Sequence, residues 1–233
     1  MSRHSPALAL VVAAMVLALA GCTWLEGVKG WLSPTATPVP TSTSPVTVTQ
    51  GQVRDAITLL PISAAQLRTS SITALSDVEG GFSVRSLADD LITISSAGYE
   101  SQQIRPRPGF PLIVDLVPDA VTTFQIIYDL EKQHEFGREY DLLHPDVQAL
   151  FGRDEFIRYM EQSRPYDIVD VSVGPMDTLV SGMVLGKVYT DVAQVRVQAS
   201  VRVGQEITRR GWLAYAARVD GLWRWFRGPL PAP

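Results

Sequence analysis

The chain carries few groups able to do chemistry, and they are widely spaced. Cys22 is the only cysteine in 233 residues. Its thiolate could take an acyl or alkyl group, but no second cysteine exists to close an intramolecular disulfide. Histidine stands only at positions 4, 134 and 144. His134-Glu135 runs on into Phe136-Gly137-Arg138, so the second histidine of a His-Glu-x-x-His zinc helix is missing. Two histidines with scattered carboxylates make a poor zinc ligand set, and no metal or other cofactor is expected. Asp89-Asp90 pairs two carboxylates, but calcium needs about six oxygens or more, and a solvated turn explains the pair better. No catalytic set can be named. Tyr128, Tyr140, His144, Tyr159, Trp212 and Tyr215 are the side chains that could line a pocket, and each is equally suited to filling a core.

The residues before Cys22 give its thiol a context. Arg3 and His4 make a short basic start, and Ala7 to Ala20 is unbroken apolar sequence. That run has signal-peptide length, whereas a spanning helix needs about 20 apolar residues. Leu19-Ala20-Gly21-Cys22 resembles a bacterial lipobox: an aliphatic residue, two small ones, then cysteine. The resemblance implies a diacylglycerol on the sulfur and cleavage before Cys22. Residues 1–21 are then a lipoprotein signal peptide, and the mature protein sits at the extracytoplasmic face of a membrane, in the cell envelope. Each buried methylene contributes about 0.8 kcal/mol, so two or more acyl chains anchor a protein where one barely does.

About 210 residues remain, enough for one large domain or two small ones. A net charge of −4 gives no push toward nucleic acid. Asparagine is absent, so no N-glycosylation sequon exists. With its one cysteine acylated, an exported protein of this kind must hold by core packing alone. Residues 22–45 read as a tether. Trp24, Leu25, Val28, Trp31 and Leu32 fall at near-helical spacing, open to an interfacial turn or to a plain spacer. Residues 33–45 hold only proline, serine, threonine and small apolar residues, and predict an extended spacer at about 3.1 Å per residue.

From Val46 the pattern changes to alternation: Val46-Thr-Val-Thr, Gln52-Val-Arg and Ile92-Thr-Ile-Ser. Asp77-Val-Glu-Gly-Gly punctuates two of these half-buried strands. No stretch from 46 to 118 shows a 3.6-residue period, which predicts an all-β sandwich. Gly51-Gln-Val53-Arg-Asp55, Pro61-Ile-Ser-Ala-Ala65, Ser76-Asp77-Val-Glu-Gly80-Gly-Phe82-Ser-Val84, Ala97-Gly98-Tyr99 and Leu116-Val-Pro118 come in the order found in carboxypeptidase regulatory-like domains. Residues 46–118 resemble that family, which implies a transthyretin-like β-sandwich without catalytic residues of its own. The loop at Thr58-Leu59-Leu60 departs from the family in lacking the glycine before proline.

Residues 119–233 read as α+β. Asp119 is a good N-cap, and Val121, Phe124, Ile127, Tyr128 and Glu131 give the following helix one apolar face. Further helical segments are expected over 138–143, from Pro145, and over 154–162. Period-two strands follow at 168–173, 194–203, 209–219 and 222–226, with Asp220-Gly221 as a hairpin turn. Helices followed by an antiparallel sheet define the class. Tyr140-Asp-Leu-Leu-His144-Pro145, Asp154-Glu-Phe156 and Arg218-Val-Asp220-Gly221-Leu-Trp223-Arg-Trp225-Phe226 are similar to the nuclear-transport-factor-2-like (NTF2-like) superfamily. The similarity implies a bent sheet closing a cone around the helices. Some relatives, such as ketosteroid isomerase, use an aspartate base with oxyanion donors in that cone. No such set can be placed here, and Asp129, Glu131, Asp141 and Asp146 are on helices where exposure is the default.

Charge divides within this segment. Residues 119–177 carry thirteen acids and five bases, and residues 178–233 three acids and eight bases. Either acidic helices face basic strands, or Arg196, Arg202, Arg209, Arg210 and Arg224 meet an anionic partner. The expected function is a membrane-anchored, non-catalytic binding or interaction module. Its partners are the membrane through the lipid on Cys22, with an envelope protein, a wall polymer or a small ligand beyond it. A small pocket hydrolase or isomerase using the second domain is the alternative.

Overall fold

Val46 to Asp55 buries Thr49, Val53 and Asp55 and turns most of its other residues outward, and the N-terminal half is built on this strand. The computed structural model describes residues 45–105, 109–162 and 166–227, all within one compact unit, 43–233. The expected signal peptide, Cys22 and the expected tether up to residue 44 lie outside the described residues. Seven strands come first: β1 (Val46–Asp55), β2 (Gln66–Arg68), β3 (Thr73–Leu75), β4 (Gly81–Leu87), β5 (Ile92–Ser95), β6 (Gln102–Ile104) and β7 (Leu112–Leu116). They form a three-stranded sheet in the order β4-β1-β7 and a four-stranded sheet in the order β3-β2-β5-β6. β1 runs antiparallel to β4 and parallel to β7. Both sheets feed one core: Val53, Phe82, Val84 and Val114 from the first, Leu67, Ile92 and Ile94 from the second. Each such side chain contributes about 1.5–3 kcal/mol on full burial. Gly51 permits the tight β1–β7 approach, because a Cβ there would overlap the Leu112 carbonyl and the Phe82 ring.

Only Val117, Pro118 and Asp119 separate β7 from the first helix. Asp119 caps α1 (Ala120–Lys132), its side chain accepting from the Thr122 N–H at 2.8 Å. Then come α2 (Phe136–Asp141), α3 (Pro145–Gln148) and α4 (Arg153–Gln162). Pro145 occupies the first turn of α3, where its missing N–H costs nothing. Four strands follow: β8 (Asp167–Val184), β9 (Lys187–Val203), β10 (Glu206–Val219) and β11 (Leu222–Phe226). Their order is β11-β10-β9-β8, antiparallel throughout. Val195, Val197, Ala199 and Val201 point inward from β9 onto Phe124, Ile127, Tyr128, Phe156 and Met160 of the helices. Asp220 and Gly221 take φ values of 52° and 81°, both positive as a type I′ turn requires.

The strand expected at 168–173 extends to Val184, an 18-residue element. Register shifts at Ile168/Asp170 and Val173/Met176 break its alternation, which hides its length from a period-two reading. The Leu185-Gly186 turn joins it to β9, which begins seven residues before the alternation at Gln194 becomes legible. The described chain is thus mostly β-sheet, in several sheets, with a short helical section and two hydrophobic cores.

Leu59 and Ala64 hold φ of 60° and 55°. That left-handed region costs a residue with a Cβ about 1–2 kcal/mol. Leu59 is 56 % exposed, so little packing opposes its replacement. Leu59→Gly is expected to hold or raise the thermal midpoint, since glycine adds back only about 0.5–1 kcal/mol of unfolded-chain entropy. Leu59→Val, with its branched Cβ, is expected to lower the midpoint. Calorimetry on both variants decides; a glycine variant melting below the valine one contradicts the strain argument.

Candidate functional site

One cleft is shaped by Asp55, the last residue of β1 and only 3 % exposed. Its Oδ1 accepts from the N–H groups of Ile57 and Thr58 at 2.7 and 2.6 Å, and its Oδ2 from the Tyr99 hydroxyl at 2.9 Å. A buried carboxylate is tolerated when donors replace its water in this way. The Tyr99 hydroxyl is held well above its ordinary range, by burial first and by Asp55 second. These bonds fold residues 56–60 into a turn with two consequences. Ile57 packs against the C-terminal core, and Leu60, Pro61 and Ile62 form one wall of a cleft.

The opposite wall is α1 with its C-cap Gln133, presenting Ile126, Asp129, Leu130 and Gln133 at positions i, i+3, i+4 and i+7 of one stripe. Arg138 of α2 completes it, and the cleft measures about 430 Å³. That lies within the range of small-molecule sites, about 300–1,000 Å³. The joint around it is tied three further ways: the Asp119 N–H to the Gly98 carbonyl at 2.9 Å, the Glu100 N–H to the Val117 carbonyl at 2.9 Å, and an Arg218–Glu100 ion pair.

A second constellation lies inside the C-terminal part. Glu131 of α1 and Glu139 of α2 are 2 % and 0 % exposed. Nη1 of Arg227, just beyond β11, lies 2.8 Å from Glu139 and 4.0 Å from Glu131. Its guanidinium sits 5.5 Å and 5.6 Å from the Phe156 and Trp225 ring centres. Burial works against the charge on Arg227, but Glu131 and Glu139 outweigh it and raise its pKa. The position of Glu131 on the apolar face of α1 prevails over the default of exposure. Glu139 follows the buried Phe136 by three residues, a spacing that sets both on one face of α2 but that the sequence reading did not pick out. Nothing in the local sequence marks Arg227 as buried, because its partners are 88 and 96 residues upstream.

The six nominated side chains disperse. Trp212 Nε1 donates to the Tyr128 hydroxyl at 2.8 Å, the two rings meeting edge-on at 5.8 Å. Burial drives the Tyr128 pKa upward. Tyr140 donates to the Phe151 carbonyl at 3.1 Å, and Tyr159 packs half-buried on the same core. Tyr215 sits opposite Gln194 and Phe226 in the sheet register. His144 is the N-cap of α3, its Nδ1 accepting from the Asp146 N–H at 3.1 Å, and it stacks on Phe226 at 4.5 Å. Burial lowers its pKa. Tyr189 donates to Asp146 at 2.6 Å while Lys187 pairs with Asp146 at 3.2 Å, which depresses the Asp146 pKa. The Tyr189 pKa is pushed up to about 12 by burial and by Asp146. This latch fastens the start of β9 to α3. None of the six lines the cleft.

The nominated arginines also divide. Register places Arg196, Arg202 and Arg209 on the face of the sheet away from the core, where Asp167 and Asp170 also stand. Arg210 reaches over the Tyr166 ring at 5.9 Å, and Arg224 donates to the Asp141 carbonyl. Among the described residues, no group of three or more histidine, cysteine, aspartate or glutamate side chains could hold a metal ion.

No family model and no curated protein matches the chain. Two solved structures show likeness. One is the solution structure of a SEC-C motif-containing protein from Rhodopseudomonas palustris, 17 % identical over 50 % of this chain and 80 % of that one, with a TM-score of 0.35. The other is the crystal structure of a candidate membrane-associated protein of unknown function from Bacteroides fragilis, 13 % identical over 66 % and 59 % of the two chains, with a TM-score of 0.25. At these scores neither likeness carries an argument about the site.

Tyr99 makes stability depend on alkali in a set direction. Its folded pKa lies above the ordinary 10.0, so its contribution is complete below about pH 10 and is lost as pH rises further. Tyr99→Phe is expected to cost about 1 kcal/mol at pH 7. Urea midpoints for this variant should also fall less steeply above pH 10 than the parent's; parallel falls refute the assignment. Arg227→Met is expected to cost about 3–5 kcal/mol at pH 7, because two buried carboxylates lose this cation. Adding Glu131→Gln and Glu139→Gln should restore most of that loss, and failure to restore it refutes the ionic account.

Proposed function

We propose that the protein is a lipid-anchored envelope protein on the extracytoplasmic side of a membrane, acting as a non-catalytic binding or interaction module. Leu19-Ala20-Gly21-Cys22 supplies the anchor and residues 22–45 the tether. Residues 46–118 are read as a carboxypeptidase regulatory-like, transthyretin-like sandwich. Three- and four-stranded sheets sharing one core support that reading. Residues 119–233 are read as an NTF2-like cone, supported by helices followed by three long antiparallel strands and a short fourth, with an inward apolar face.

The observation that carries the binding role is the cleft between the Asp55 turn and α1. Its deepest carboxylate already accepts from three donors, an arrangement suited to holding shape rather than to moving a proton. The alternative, a small hydrolase or isomerase, draws on the buried Glu131 and Glu139, the first of them near Tyr128. Arg227 beside both acids counts against it.

The anchor is tested by feeding cells labelled palmitate. Label should enter the parent chain and be absent from Cys22→Ser, and the variant should leave the membrane fraction. An unlabelled parent, or a variant equally particulate, overturns the proposed location.

A further inference from the structure

Resting on the binding-module reading, we propose that the cleft takes a short peptide with free termini. Its charges are what select this class. Asp55 is filled by its own donors and offers a ligand nothing. Two charged lining groups are left. The half-exposed Asp129 carboxylate accepts, among the described residues, from the Gln125 side chain alone, at 3.1 Å. The Arg138 side chain is exposed, and among the described residues its guanidinium makes no hydrogen bond or ion pair. One wall therefore presents one open anion and one open cation. An open carboxylate recognises an ammonium group and an open guanidinium recognises a carboxylate, each charge-assisted.

The rest of the lining suits a peptide body. Leu60 and Ile126 give apolar area, and the Gln133 amide can both donate to and accept from a peptide bond. Leu60 is 63 % exposed, an apolar residue held at the rim by the Asp55 turn rather than turned inward. The volume of about 430 Å³ suits about two or three amino-acid residues and excludes a folded partner. Capture of chain termini by fixed charges is an established recognition mode.

The test uses the full chain in detergent and follows its tryptophan-reported thermal midpoint against the tripeptide Ala-Leu-Ala. The free tripeptide is expected to raise the midpoint with a saturable dependence. N-acetylation and C-amidation should each weaken apparent affinity about tenfold or more. In Asp129→Asn the acetylated and free peptides should become equivalent, and in Arg138→Gln the amidated and free ones. Both positions are at the surface, so neither change threatens folding. No shift at about 10 mM peptide, or equal shifts for free and capped forms, overturns the inference. The palmitate experiment is independent: peptide binding by an unlipidated chain would leave this assignment standing and remove only the location.

Discussion

Everything at the centre of the molecule depends on one buried carboxylate finding enough donors. An isolated ionised aspartate away from water is strongly unfavourable, and Asp55 escapes that by accepting two amide N–H bonds and one phenolic O–H. The donors come from different places in the chain. Ile57 and Thr58 are its near neighbours, whereas Tyr99 is 44 residues on, beyond four further strands. One group therefore fixes a local turn and a distant loop together. The turn delivers Ile57 to the second core, and the loop delivers the Gly98 carbonyl to the start of α1. Two cores that could hinge freely on three residues are instead pinned by a set of short polar bonds around an apolar plug.

The C-terminal part uses the same logic with opposite charges. Glu131 and Glu139 come from helices, and Arg227 follows the last strand. Both ends of the segment meet there, so the helices are tied to the sheet after the chain has completed its path. Buried ionic groups of this kind add little net stability but penalise alternative packings heavily. The latch of His144, Asp146, Tyr189 and Lys187 does a related task at lower burial, fixing the long β8–β9 hairpin to α3.

Local signals proved legible where the physics is local. Asp119 as a cap, Pro145 in a first turn and Asp220-Gly221 as a reverse turn depend on neighbours within four residues, and the structure places each as expected. The alternation of Val195, Val197, Ala199 and Val201 gave the inward face of β9. What stayed hidden depends on separation. The first arm of β8 was visible, but its two register shifts scrambled the period of the remainder. Asp55 and Tyr99 lay within motif segments, yet no pattern joins them into a bond. Six aromatic and histidine positions were nominated for a pocket by residue type, and type does not say which face of an element a ring occupies. The cleft is formed instead by a mixture of aliphatic, carboxylate, amide and guanidinium side chains, with Tyr99, that no composition rule would have gathered.

β8 ends the sheet order, so its outer edge has no strand beside it among the described residues. An edge strand of 18 residues without a paired neighbour is a template on which another chain can add, and α1 approaches it closely enough to cover part of it. Gly174 and Pro175 fall in the second register shift, where the strand bends and proline removes a donor. The interruption splits one long adhesive margin into two short ones with different directions. That break is a safeguard against fibrous association.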